Sequence, residues 1–399
     1  MAEPGRGVPP GLAYACPVTP ADLSRTVLHA VRRAVDEDAL RAPVPARVRV
    51  ERTRPGGTGD YACAVALQLA GPAALPALEV ARILRERVAA EPGIGRVEIT
   101  GPGFLSLTLG APADRHRALL DAVRRQGPAY GHGDALRAEV LQFQHASEVR
   151  AAVTAQTVRR LLAAQGARVR ISCRAAASDP DWARLGVTVD AHGTAPGPLA
   201  EIRPVPAGAT AGELLQRLGP DAARWGLLRT AGHDRADLGP GLLVQGEANT
   251  LFRVRYAHAR VRALTRGAGL LGFAAEPAEP AGTAAYGDAS AVDGPAGTAA
   301  YGAGRVSYDS AARPLLDLIA DHPGVLLAAA RHRAPDRLAR HLEAVAHAFS
   351  DFHDACPPLP SGDEKPSAAH RSRLALAEAA GTVLAGGLSL LGIDAPEHL

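Results

Sequence analysis

Apolar residues recur every fourth position through Leu23, Val27, Val31 and Val35, behind Thr19 and Pro20, a cap and a first-turn proline. That spacing predicts an amphipathic helix over 19–37. The alternating run Ala46 to Glu51 predicts a strand, and Pro76 to Ala90 a second helix with apolar spacing at Val80, Ile83, Leu84 and Val88. Val97 to Ile99 and Phe104 to Leu107 flank Gly101-Pro102-Gly103, which is hairpin chemistry. These elements predict one small α+β domain over residues 15–111.

Further along, a helix is predicted from Pro112 to Arg125, then a loop rich in glycine and histidine. A strand at Ala138 to Phe143, a helix at Glu148 to Gln165 ended by Gly166, and a strand at Ala167 to Ser172 predict a βαβ unit. Residues 175–209 are patterned as loops around one strand at Leu185 to Val189. Helices then dominate: Ala211 to Leu218, Asp221 to Thr230, Gly241 to Arg266, Pro314 to Ile319, Pro335 to Cys356 and Ser367 to Leu391. Within them lies an insert at 274–312, in which Pro280 to Gly287 recurs as Pro295 to Gly302. Its low apolar content predicts a flexible loop without a core. The chain is therefore expected to be multidomain, α/β plus all-α. A small α+β N-terminal domain precedes a reduced Rossmann-like βαβ remnant at 112–238 and a C-terminal helical bundle at 239–399.

Composition narrows the function classes. Hydrophobic residues make up 47% and charged residues 21%, as in ordinary globular proteins. Net charge is only +3, so a partner that is a polyanion must be met by basic groups gathered on one surface. Lys365 is the one lysine among 44 basic residues, a bias that could serve phosphate recognition but is read here as GC-rich codon usage. The cysteines Cys16, Cys63, Cys173 and Cys356 are scattered and form no CxxC pair, so neither a disulfide framework nor a metal site is expected. No signal-peptide core or membrane-length apolar run is read, which makes the cytoplasm the expected compartment, with no membrane partner.

The segment Gly59 to Ala70, followed by Gly93-Ile94-Gly95 and Gly101 to Leu105, resembles the N-terminal domain of arginyl-tRNA synthetases. Tyr256-Ala257-His258-Ala259-Arg260, Phe352 to Pro357, and the ending Leu390 to Ile393 with Ala395-Pro396-Glu397 resemble the same family's anticodon-binding bundle, the DALR domain. The matches follow the family's order. The resemblance implies one module for the tRNA elbow and another for the anticodon. It implies a nucleotide-binding fold opening after Tyr130-Gly131, with a His-x-Gly-His signature at a helix start. Here that start reads His145-Ala146-Ser147-Glu148, with serine for the glycine and glutamate for the second histidine. Ala200 to Pro204 stands where the family's second, lysine-bearing signature falls. A carboxylate at 148 is expected to repel a triphosphate, and losing one preorganised donor costs roughly 10²- to 10³-fold in rate. The expectation is thus a non-enzymatic protein with a degenerate signature at His145, Ser147 and Glu148, and with no cofactor.

Within the predicted helix at 251–266, Val254, Ala257, Val261 and Leu264 share one stripe, with Arg253, Tyr256 and Arg260 clustered beside it and Arg255, Arg262 and Arg266 on another face. An aromatic among arginines can stack a base while the guanidinium groups neutralise phosphates. The alternative is a solvated arginine face with Tyr256 as packing. Candidate RNA-contacting residues are Arg253, Tyr256, His258, Arg260, Arg262, Phe352, His353 and Tyr61; Phe352 also reads as core and Tyr61 as domain packing. The expected partner is tRNA, arginine tRNA above all, or another structured RNA, in a regulatory or accessory role. A protein-interaction module built on the bundle, and a surviving arginine–tRNA ligase activity, are the alternatives.

Overall fold

In the computed structural model, which describes residues 20–53, 57–91, 94–109, 112–193, 199–277 and 308–399, the chain divides into two units, 1–118 and 119–399. The first unit is an antiparallel sheet with helices packed on it. Helix α1, Pro20–Asp36, buries Leu23, Val27 and Val31 fully and Val35 in part, as its period predicts. Strands β1 (Val50–Arg52), β2 (Tyr61–Cys63), β3 (Ile94–Thr100) and β4 (Phe104–Leu109) pair in the order β1-β2-β4-β3. Helices α2 (Val65–Ala73) and α3 (Ala77–Ala89) lie between the second and third strands in sequence. The hairpin turn passes so close to α3 that a Cβ on Gly103, at φ +135, would sit 3.0 Å from the Ala77 carbonyl oxygen. Only glycine fits there without strain. The strand predicted at 46–51 begins only at Val50, because its partner β2 is three residues long.

The second unit holds α4 (Pro112–Gln126) in its larger part, a parallel sheet and a helical bundle. Strands β5 (Val140–His145), β6 (Arg168–Cys173), β7 (Ala191–His192) and β8 (Ala200–Ile202) run in the order β7-β6-β5-β8, all parallel. Helix α5, Val149–Ala164, joins β5 to β6, so the βαβ reading matches the observed order. The strand predicted at Leu185 to Val189 does not form. Asp179 caps a short 3-10 helix at Pro180–Leu185, Gly186 ends it at φ 63, and the Val187 amide turns back to the Trp182 carbonyl.

Helix α6, Ala211–Leu228, bends at Gly219-Pro220, the break that separates the two helices read from sequence. Helix α7 is Thr250–Leu270, not Gly241 to Arg266, because Asn249 takes the cap and Pro240–Leu243 forms a separate 3-10 turn. Helices α8 (Tyr308–His332), α9 (Pro335–Ala355) and α10 (Ala368–Leu391) complete the bundle. Residues 308–312 of the predicted insert are helical, residues 274–277 have no regular structure, and 278–307 lie outside the described residues. Helix α10 is long and apolar enough to cross a membrane by length and composition, yet most of that length is buried among its neighbours.

Two buried arginines tie the sheet to the bundle. Arg150 of α5 donates to the carbonyls of Val205, Leu227, Thr230, Ala231 and Asp234. Arg224 of α6 donates to the Leu185 and Leu391 carbonyls and to Thr157 Oγ1, and burial, with the neighbouring Arg160 charge, pulls its pKa down to about 9. Its charge meets the C-terminus of α10, where free carbonyls favour a cation. Nearby, the Tyr130 ring stacks on His322 at 5.9 Å and His322 on His341 at 5.2 Å. Burial holds both imidazoles neutral, with the His341 pKa pushed down to about 4.

Candidate nucleic-acid interface

Helix α7 carries the site, and Asn249 fixes where it starts. The Asn249 Oδ1 accepts from the amides of Leu251 (3.0 Å) and Phe252 (3.3 Å), while Nδ2 donates to the Leu242 and Val244 carbonyls. Val254, Ala257, Val261 and Leu264 are buried against the bundle, so the neighbouring faces turn outward. Tyr256 is 49% exposed and stacks on Phe252 with centroids 5.7 Å apart. Arg260, Arg262 and Arg266 are exposed and Arg253 is half-buried. Beside this aromatic pair opens a cavity of about 280 Å³ with an apolar lining from Leu218, Leu242, Val244, Leu251 and Phe252. Its polar edge is Arg255, 3.5 Å from the Asp221 carboxylate, and Leu399 closes another side. The arrangement offers a stacking platform, a recess large enough for a planar ring system, and guanidinium groups for phosphates.

The remaining sequence candidates divide by access. His353 of α9 lies beside α7, its Nε2 accepting from Arg260 Nη2 at 3.4 Å and its Nδ1 donating to Asp354 Oδ1 at 3.3 Å. His258 is buried and donates from Nδ1 to the Pro396 carbonyl at 3.0 Å, and desolvation lowers its pKa. Phe352 is wholly buried, so its ring supports the bundle from inside. Tyr61 belongs to the first unit, is 4% exposed, and has the Arg52 guanidinium 5.5 Å from its ring centre. The fold thus brings Arg253, Tyr256, Arg260, Arg262 and His353 to accessible positions on α7 and α9. Sequence reasoning missed Phe252 and Leu399. The Phe252 to Tyr256 spacing of four was a usable signal; the fold-back of Leu399 had none.

The other marked stretch lies where the strand order of the parallel sheet reverses, β6 and β7 lying to one side of β5 and β8 to the other. His145 ends β5, between Cys173 of β6 and Ile202 of β8, the crevice in which open parallel sheets hold ligands. Its ring is 1% exposed, faces Trp182 at 5.7 Å, and places Nδ1 2.8 Å from the Ala146 carbonyl. Nε2 is buried without a hydrogen-bond partner among the described residues, and desolvation lowers the pKa, so the neutral imidazole keeps an acceptor that none of them uses. Ser147 is exposed. Glu148 is the N-cap of α5: Oε2 accepts from the Ala151 amide and Oε1 from the Ala207 amide, both at 2.8 Å. The carboxylate expected to repel a triphosphate is instead engaged in capping the amino end of its own helix. Among the described residues no group of three or more His, Cys, Asp or Glu side chains is placed to hold a metal ion.

An arginine-lined aromatic helix in a bundle, joined to a parallel-sheet unit and preceded by a small α+β domain, defines a multidomain RNA-binding architecture. Residues 254–399 match the family described as the DALR anticodon binding domain, and residues 22–109 the arginyl tRNA synthetase N terminal domain. An arginine–tRNA ligase of Frankia alni is 26% identical over 576 positions, covering 96% of this chain and all of that relative. That span exceeds the 399 residues here, so the relative holds segments with no counterpart in this chain. An arginine–tRNA ligase of Pseudarthrobacter chlorophenolicus is 36% identical over 188 residues, 47% of this chain and 30% of the relative. The arginyl-tRNA synthetase structure from Thermus thermophilus superposes with a TM-score of 0.61 at 14% identity, covering 95% of this chain and all of that one, which shows the shared fold. The chain belongs to the arginyl-tRNA synthetase family. These relatives contradict the expectation of a non-enzymatic protein, since the proteins the chain matches are named as arginine–tRNA ligases.

Proposed function

We propose that the chain binds tRNA, arginine tRNA in particular, with the exposed face of α7 receiving the anticodon loop and the N-terminal unit receiving the elbow. The supporting observation is the exposed Tyr256 ring stacked on half-buried Phe252 beside an apolar recess, with Arg253, Arg260 and Arg262 on the same helix of an anticodon-binding domain. A flipped loop base has a platform, and the flanking phosphates have guanidinium partners. Gel-shift titration tests the reading: folded arginine tRNA binds in preference to random RNA of equal length, and equal affinity for both rejects it. A protein-docking role for the same face predicts little loss of affinity with salt, whereas phosphate contacts impose a steep loss.

The name carried by the relatives favours a second reading, arginine–tRNA ligation at the crevice beyond the paired ends of β5 and β8. His145, with its unused Nε2 at the end of β5, is the side chain on hand there. Transfer of labelled arginine to arginine tRNA above the protein-free background supports this reading, and transfer at background level rejects it.

A further inference from the structure

Residues 392–399 leave α10 and return along α7. Arg224 donates to the Leu391 carbonyl, Gly392 turns the chain at φ 74, and Ile393 is buried. His258 then donates to the Pro396 carbonyl at 3.0 Å. Beyond this anchor the last residues lie on the basic face itself. The Glu397 carboxylate accepts from Arg262 Nη2 at 2.7 Å, and its carbonyl accepts from Arg266 Nη2 at 3.5 Å. His398 Nδ1 stands 3.3 Å from the same Arg266 nitrogen, and Leu399 lines the recess beside Phe252.

We propose that the Glu397 carboxylate occupies a phosphate position on Arg262, so that residues 397–399 form a strap that RNA must displace to reach this arginine and the recess. The inference rests on the tRNA-binding reading of α7. A carboxylate and a phosphate present the same pair of oxygens to a guanidinium fork, which makes the carboxylate a local mimic of the backbone. Both partners of the Arg262–Glu397 pair are exposed, and exposed pairs are weakly held. A nucleic-acid phosphate also releases condensed counterions on pairing, which a lone carboxylate does not. With the chain anchored at Leu391 and Pro396, displacement of residues 397–399 leaves the bundle packed, so the strap lowers affinity without unfolding the domain.

The test is a four-protein cycle of tRNA binding at fixed salt: wild type, Glu397→Gln, Arg262→Gln and the double variant. Glu397→Gln is expected to bind arginine tRNA roughly two- to fivefold more tightly than wild type, the range set by the strength of an exposed ion pair. That gain is expected to vanish in the Arg262→Gln background. Equal or weaker binding by Glu397→Gln overturns the strap. A gain of the same size in both backgrounds also overturns it, because a general change in net charge then suffices. Wild type binding no RNA while Glu397→Gln binds supports a tighter strap, whereas no binding by any of the four rejects the tRNA reading and the strap with it.

Discussion

Arg150 makes the sharpest test of how the second unit is held together. Its side chain is 1% exposed, and among the described residues no carboxylate hydrogen-bonds its guanidinium. It reaches five carbonyls, those of Leu227 (3.0 Å), Val205 (2.9 Å), Asp234 (2.6 Å), Thr230 (3.2 Å) and Ala231 (3.0 Å), and also Thr230 Oγ1 at 2.9 Å. Arg150→Met keeps most of the volume and strands those acceptors. Each unsatisfied buried group costs about 1–3 kcal/mol, but removal of the charge also relieves the desolvation it suffers, so the net expectation is about 3–5 kcal/mol. Arg150→Lys should recover only part, since an ammonium has three donors and no planar fork. Guanidinium unfolding followed by tryptophan emission reads this unit alone, because the chain's two tryptophans, Trp182 and Trp225, both lie in it and are buried. A loss below about 1 kcal/mol would refute the reasoning, since it would fall short of even one stranded buried acceptor.

Other consequences follow from the same contacts. Tyr256→Ala is expected to weaken anticodon stem-loop binding by about 1–3 kcal/mol with unchanged unfolding, as removal of an exposed stacking ring requires. Phe352→Ala is expected to do the reverse first, lowering stability by about 3–5 kcal/mol in the denaturant titration, because its ring is wholly buried. Acid should weaken the second unit. Burial holds the His341 pKa near 4 against 6.5 for an ordinary imidazole, so the unfolded chain takes up protons first. Stability is then complete above about 6.5 and falls as pH drops toward 4, by about 3 kcal/mol from His341 alone. Unfolding midpoints measured across that range check the slope, which His341→Gln should flatten.

Periodicity located most helices to within a residue or two. The α1 stripe and the Glu148 to Gln165 helix were legible because one face of each meets a core, which is what a repeat of 3.6 records. Strand β2 and helix α2 were not assigned from pattern, since Tyr61 to Ala70 reads as one apolar run that serves a strand and a buried helix equally. Helix α8 was read too short because Pro314 and Pro323 look like breaks, yet both lie within it. At the site, Tyr256 and Arg260 could be placed from spacing alone. Phe352 reads as core as well as base contact, and packing decides for core; the burial of His258 is not legible, because it depends on residue 396. Glu148 read as a repelling charge because sequence shows a carboxylate at a helix start; its bond to the Ala207 amide appears only in three dimensions.

The central claim, that the exposed face of α7 grips an RNA backbone, is tested most directly by salt titration of tRNA affinity for wild type and Arg260→Gln. The expected result is a steep linear fall of log affinity with log salt for wild type, and a slope shallower by about 0.7–0.9 for the variant, one phosphate contact having been removed. A slope near zero, or identical steep slopes for the two proteins, would contradict the account.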